Sequence, residues 1–325
     1  MSIQSIISGL NRKFNNDVQI LLNYCKLSIS KLSIINRNNN IKQIQNYFNT
    51  NYNNLRNKLN LDIKTARAQA QAPAPITKFN KNALLIGCNY IGTQYELSGC
   101  INDVENIQNK LRSQYGFNNI LIMSDNTSNK PTKVNILNEI KNLLTNANSG
   151  DKLFLLFSGH GTTIKDANSD EKDGLDEMFV PLDFNCISDD EIKIFINNNL
   201  KKDVTLFALF DCCHSGTILD LRYQYFDSEN YDNSTENTKE TETIGDVIMI
   251  SGCMDNQTSS DAYINSSYQG AMTWSFLDAV NKNPNLSWKD LITTMRSSLK
   301  TSKYQQIPQL SSGKKLDLTA NICLL

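Results

Sequence analysis

DKLFLLFSGHG (151–161) and VTLFALFDCC (204–213) share one design, a run of apolar residues that ends in reactive side chains. Neither run alternates apolar with polar, so each reads as a strand buried on both faces. Outward from this pair the same alternation of strand and helix continues. NALLIGCNY (82–90) is a further apolar strand, followed by a polar loop and a helix over about 101–114. NNILIMSD (118–125) is a strand, and PTKVNILNEIKNLLTNA (131–147) is a helix with Pro131 near its start. MFVPLDF, the helix DDEIKIFINNNL, the strand DVIMISGC (246–253) and helices around 271–282 and 287–300 complete the series. This pattern predicts an α/β fold with a mainly parallel central sheet, flanked by helices on both faces.

Ahead of it the composition changes. Residues 1–64 are rich in Asn, Lys, Ile and Leu, with Ile6, Ile7, Leu10, Phe14, Ile20, Leu21 and Tyr24 at loosely helical spacing. Three readings stand for this extension: a helical hairpin, a helix that binds a protein partner, or a weakly ordered arm. Residues 65–81, with the stretch TARAQAQAPAPITK, read as a linker. The compact domain begins at 82. Within it the polar stretch 227–243 has little to bury and is expected to be a mobile loop.

With 325 residues, 40% of them hydrophobic, the chain can bury a substantial core, and its net charge of -1 gives no reason to expect nucleic acid or a membrane as partner. No run approaches the roughly 18 apolar residues of a spanning helix, and no basic segment of a secretory leader precedes the first apolar residues. Eight scattered cysteines without a paired framework point to reduced thiols and a cytoplasmic setting. The two histidines are His160 and His214.

In open parallel sheets, functional groups collect at the carboxyl ends of strands. Two neighbouring strands ending in His160 and Cys213 bring an imidazole and a thiol to one rim. A thiol with an ordinary pKa of about 8.5 needs such a base to attack as thiolate, and the imidazole then protonates the leaving amine. The amide groups of Gly161 and Cys213 are positioned to hold an oxyanion. His214, next to Cys213, points to the other face of an extended chain and is a poor base. The competing reading, a structural cysteine and a loop histidine, stands about even on these residues alone.

Several ordered blocks then point to a family. The strand with SGHG, the strand with DCCHSG, GCNYIGTQYELSGCINDVENI (87–107), DGLDEMFVPLDF with ISDDEI, and SGCMDNQTSSDAY followed by GAMTWSFL resemble the metacaspases, caspase-like cysteine proteases. True caspases carry a QACRG-type sequence at the cysteine, which this chain lacks. The resemblance covers about residues 82–325, with 82–226 similar to a large subunit and 244–325 to a small one, and residues 1–64 in the place of a prodomain. It implies a caspase-like fold, Cys213 rather than Cys212 as nucleophile, His160 as base, and cleavage after Arg or Lys. Carried over by motif, Cys100, Asp103, Ser158 and Asp211 line an acidic pocket. Asp211 lies two residues before Cys213 and shares its strand face. Alone, Asp103 reads as a helix cap and Asp211 as the partner of a structural cation.

The segment 166–177 places Asp166, Asn168, Asp170 and Glu177 at EF-hand positions, but Glu171 stands where glycine is required, and a strand precedes it. The resemblance implies a different calcium site, at Asp173, Asp189, Asp190 and Asp220, whose carboxylates would repel one another without a cation. Asp189 and Asp190 also open a helix, where acids suit the dipole. Self-cleavage is expected at Arg67, Lys78, Lys81 or Lys239, and a monomer is expected. Two alternatives stay open: an idle caspase-like scaffold, and a Cys–His hydrolase of the same fold with another specificity.

Overall fold

The computed structural model describes residues 3–30, 37–71, 79–165, 175–212, 218–225, 235–252, 261–264, 267–283 and 285–322. The chain divides into two compact units, residues 1–78 and 79–325.

The first unit is a pair of long helices, α1 (Ile3–Ser30) and α2 (Arg37–Gln71). Of the three readings of this extension, the helical hairpin is the one found. Its seam is aromatic: Phe14 meets Tyr52 with ring centroids 6.0 Å apart, Tyr24 meets Tyr47 at 5.6 Å, and Cys25 is buried. The linker expected from residue 65 is corrected at its start. Residues 65–71 continue α2, because Ala, Arg and Gln favour a helix and the first breaker is Pro73. Among the described residues, no helix is long and apolar enough to cross a membrane.

The second unit runs β1 (Lys81–Gly87), α3 (Cys100–Ser113), β2 (Asn119–Ser124), α4 (Lys133–Thr145), β3 (Lys152–Ser158), β4 (Gly161–Lys165), β5 (Leu175–Phe179), β6 (Ile187–Ser188), α5 (Asp189–Asn199) and β7 (Thr205–Asp211). It continues with β8 (Tyr223–Tyr225), β9 (Thr235–Glu236), β10 (Asp246–Ser251), β11 (Asp261–Ile264), β12 (Ser267–Gly270), α6 (Ala271–Lys282), α7 (Trp288–Thr301) and β13 (Gln309–Ser312). Among the described residues the main sheet has eight strands in the order β2-β1-β3-β7-β10-β13-β8-β9. The first five are mutually parallel, and β13, β8 and β9 add antiparallel at one side.

Strand parity divides the core into two layers. Leu85, Phe154, Leu156, Phe207 and Leu209 face α3, α6 and α7, through Val104, Ile107, Phe276 and Leu291. Leu84, Ile86, Leu153, Leu155, Phe157, Leu206 and Phe210 face α4 and α5, through Ile136, Ile140, Ile192 and Ile196. Apolar runs without alternation are thus explained by helices on both faces.

Half of the stretch expected to be mobile is folded onto this unit. Residues 235 and 236 form β9 against β8, Arg222 donates to Glu236, and Lys193 meets Glu240 at 2.8 Å. The sequence offers little to bury there, but the acids find cations, and Thr243 is buried with its hydroxyl on the Gly245 carbonyl. Residues 226–234 lie outside the described residues.

Candidate active site

β1, β3 and β7 end level with one another: Gly87 pairs with Ser158, and Ser158 with Asp211. Their carboxyl ends therefore form one rim, and the site builds from it. By parity Ser158 and Asp211 follow Leu156 and Leu209 on the α3 and α6 face. There the first turn of α3 brings Asp103, which is fully buried and accepts from the Ser158 hydroxyl at 2.7 Å. Asp103 also accepts from the Gly270 amide at 2.9 and 3.0 Å, while Asp211 accepts from the Thr273 amide at 2.8 Å. α3 starts at Gly99 without a side-chain cap, so Asp103 reaches across to β3 and β12.

Gly270 is the point where the two acids meet. A Cβ at this position would lie 2.1 Å from Asp211 Oδ2 and 2.8 Å from Asp103 Oδ2. Only a residue without a side chain lets β12 close over both carboxylates. Cys100 joins the group beneath: its thiol is buried and bonded to Ser158, and burial, then the charge of Asp103, pushes its pKa well up. Cys100, Asp103, Ser158 and Asp211 thus stand together.

The histidine sits in a different setting, two residues beyond Ser158. His160 Nε2 lies 2.8 Å from the Tyr95 carbonyl oxygen. A carbonyl only accepts, so Nε2 carries a hydrogen, and this contact selects the tautomer with its lone pair on Nδ1. The His160 amide donates to the Tyr90 hydroxyl at 2.9 Å, that hydroxyl donates to the Val180 carbonyl at 2.6 Å, and the His160 ring packs on the Tyr90 ring at 4.8 Å. Burial raises the Tyr90 hydroxyl far above its ordinary pKa, so it remains a neutral donor. Phe184 closes the aromatic group against Tyr90 and Tyr95. Gly161 opens β4 opposite Phe179.

Tyr90, Tyr95, Gly270 and Thr273 escaped the sequence reading. The tyrosines stand in the quoted block NYIGTQY after β1, but their role rests on a hydroxyl and a main-chain carbonyl that no residue type announces.

Cys213 and His214 lie outside the described residues. The neighbouring Cys212 is fully buried in the α4 and α5 layer, on the face opposite Asp211.

The calcium ligands expected from the resemblance do not form a group among the described residues, where no three or more His, Cys, Asp or Glu residues gather as a metal site. Asp173 lies outside them. Asp189 is buried and accepts from the Glu177 amide at 2.9 Å and the Asp190 amide at 2.7 Å. Asp220 meets the Lys193 ammonium at 3.5 Å. Burial pulls the Lys193 pKa down, yet Glu240 and Asp220 together outweigh it and leave it raised. Among the described residues Lys193 stands beside Asp220, where a calcium ion would have to displace it.

Two of the expected self-cleavage positions are also corrected. Lys81 is in β1, paired with Lys152 of β3, with its Nζ on the Tyr115 carbonyl, and Arg67 is in α2. A protease needs an extended, accessible segment. Lys78 lies outside the described residues, and Lys239 is exposed between β9 and β10.

A parallel sheet with helices on both faces, a histidine on its carboxyl rim and buried acids beside it has the ground plan of a caspase-like peptidase. Comparison narrows this. Residues 81–222 match the family model described as "Metacaspase, peptidase C14 domain". A Metacaspase-1A of Aspergillus terreus is 37% identical over 289 residues, covering 73% of this chain and 72% of the relative. A Metacaspase-1 of Kluyveromyces lactis is 36% identical over 297 residues, 75% of this chain and 68% of the relative. Among solved structures, a protein of Geobacter sulfurreducens superposes with a TM-score of 0.55 at 23% identity, covering 73% of this chain and 95% of that one, a likeness of fold. The chain belongs to the metacaspases, and it is a caspase-like cysteine-type endopeptidase acting on protein substrates.

Proposed function

We propose that this endopeptidase cuts after Arg or Lys, with Cys213 as nucleophile and His160 as base. The observation that carries the specificity is the convergence of Asp103 and Asp211 on Gly270. Two buried carboxylates side by side raise the cost of each other's charge, and an inserted guanidinium or ammonium relieves both. A hydroxyl and backbone amides hold them in place, and Gly270 lies against both, so β12 must shift for a guanidinium or ammonium to reach them.

The chemistry follows from the tautomer. With Nε2–H given to Tyr95, Nδ1 takes the Cys213 proton, and the thiolate attacks the scissile carbonyl carbon. The Gly161 and Cys213 amides meet the developing oxyanion. As the tetrahedral intermediate collapses, the C–N bond breaks and the leaving amine takes the proton from Nδ1. Water, deprotonated by the same nitrogen, then hydrolyses the thioester. The level ends of β3 and β7 support this pairing, since His160 and Cys213 each follow the strand end by two residues in the chain.

Self-processing at Lys239, an exposed basic residue, requires the turn from Asn237 to Glu240 to open into an extended segment. A calcium response through Asp173, Asp189, Asp190 and Asp220 requires Lys193 to give way, and no chemical step runs through the metal. Free thiols at Cys25, Cys88, Cys100, Cys186 and Cys212 agree with a reducing, cytoplasmic setting.

Fluorogenic peptides ending in Arg, Lys, Asp or Asn, offered to the wild type and to Cys213→Ala with and without calcium, test the reading. Cleavage after Arg and Lys, abolished in the variant, is expected. Cleavage after Asp or Asn overturns the pocket, and none at all favours the idle scaffold.

A further inference from the structure

The net charge of -1 conceals a division. Residues 1–78 hold 11 Lys and Arg against Asp17 and Asp62, a net of +9, while residues 79–325 hold 21 against 31 acids, a net of -10. The two-helix unit is thus strongly basic. Along one side of α1 it also carries a row of exposed large apolar residues, interrupted by Gly9 and Lys13. Ile6, Ile20, Tyr24 and Leu27 are 38%, 59%, 58% and 55% exposed. At about 100° per residue they fall within an arc of roughly 60° on α1. The Tyr24–Tyr47 contact joins this stripe to α2, where Leu61, about four turns beyond Tyr47, returns to the same strip and is 62% exposed. A helix pair has no further layer of its own to cover such a face.

We infer that this face of the hairpin seats on an anionic lipid surface, lying in the interface without crossing it. Both features are then used at once. Ile, Leu and Tyr enter the boundary between headgroups and acyl chains, and the cations meet the headgroups. The unit's two acids line the groove between the helices together with Lys13 and Lys58, which leaves nine cations with no further acid in the unit. A second copy of the hairpin would bring a net +9 against +9. A nucleic acid would meet the charge and leave the Ile and Leu stripe in water. The lipid surface answers both, and it departs from the expectation drawn from the whole-chain charge.

The test is sedimentation of the full chain, carrying Cys213→Ala to keep it intact, with vesicles of phosphatidylcholine alone or mixed with phosphatidylserine. Pelleting with the mixed vesicles only, reversed by high salt, is expected. Arg12→Gln with Lys26→Gln should weaken binding roughly fivefold per cation. Ile20→Glu with Leu27→Glu should weaken it roughly tenfold or more, with an unchanged far-ultraviolet spectrum. No pelleting, equal pelleting with neutral vesicles, or double-Glu binding like the parent overturns the proposal. So does vesicle binding lost to competing RNA, or self-association that Leu27→Glu abolishes.

Discussion

Two pairs of acids in the catalytic unit live in opposite circumstances. Asp220 and Glu240 share the ammonium of Lys193, which is drawn out of water between α5 and the segments around β8 and β9. Asp103 and Asp211 instead meet across Gly270, held by Ser158 and the amides of Gly270 and Thr273. The first pair comes with its cation and ties three segments together. The second accepts from a hydroxyl and from backbone amides and lies on the rim that carries His160. Acidic residues alone therefore do not mark a binding pocket. What distinguishes the second pair is its place on the rim that carries His160 and the glycine that lets both carboxylates share one spot.

The largest expected effect comes from the rim itself. His160→Ala should lower kcat by roughly a hundredfold to ten-thousandfold, and Cys213→Ala should remove turnover, both with unfolding temperatures near wild type. Next, the two pairs should separate under the same substitution. Asp211→Asn should cost at least roughly thirtyfold in kcat/KM on Arg peptides, the scale of an unmatched buried charge. Asp220→Asn should leave kcat/KM within about threefold but lower the unfolding temperature, since it loosens the Lys193 tie. A comparable loss for the two variants would erase the distinction.

Gly270→Ala sharpens the comparison from the side of geometry. Its Cβ would collide with Asp211 Oδ2, so KM for Arg peptides should rise roughly tenfold or more while the thiol stays reactive to iodoacetamide. Smaller still, Tyr90→Phe removes a buried hydroxyl with two partners. It should destabilise the fold by about 1–3 kcal/mol and lower kcat more than it raises KM, because His160 loses the group that fixes its backbone. Last, Lys193→Met removes the ammonium beside Asp220. If calcium binds there, the concentration for half-maximal activity should fall; an unchanged response places the calcium effect elsewhere.

Much of this was legible in the chain. Apolar runs such as LFLLF and LFALF could only be strands covered on both sides, and their endings put chemistry on one rim. Strand parity put Asp211 on the face of Cys213, and its place in a pocket came from the resemblance. Parity says nothing of Asp103: on α3 it looked like a cap, and its partners Ser158 and Gly270 stand 55 and 167 residues further on. Gly270 was invisible for the same reason, being one glycine among 14 whose meaning is tertiary. The cradle of His160 depends on a main-chain carbonyl, which every residue possesses. The hairpin was half seen, its helical spacing noted, while the charge that gives it a character cancelled in the sum over the whole chain.

The central claim is that buried negative charge beside the catalytic rim selects a positive side chain. Its most direct measurement is kcat/KM for two peptides alike except that one ends in Arg and the other in citrulline, which keeps the shape and loses the charge. The wild type should prefer Arg by roughly thirtyfold or more, and Asp211→Asn should bring the two close together. Equal cleavage of both peptides by the wild type would contradict the account.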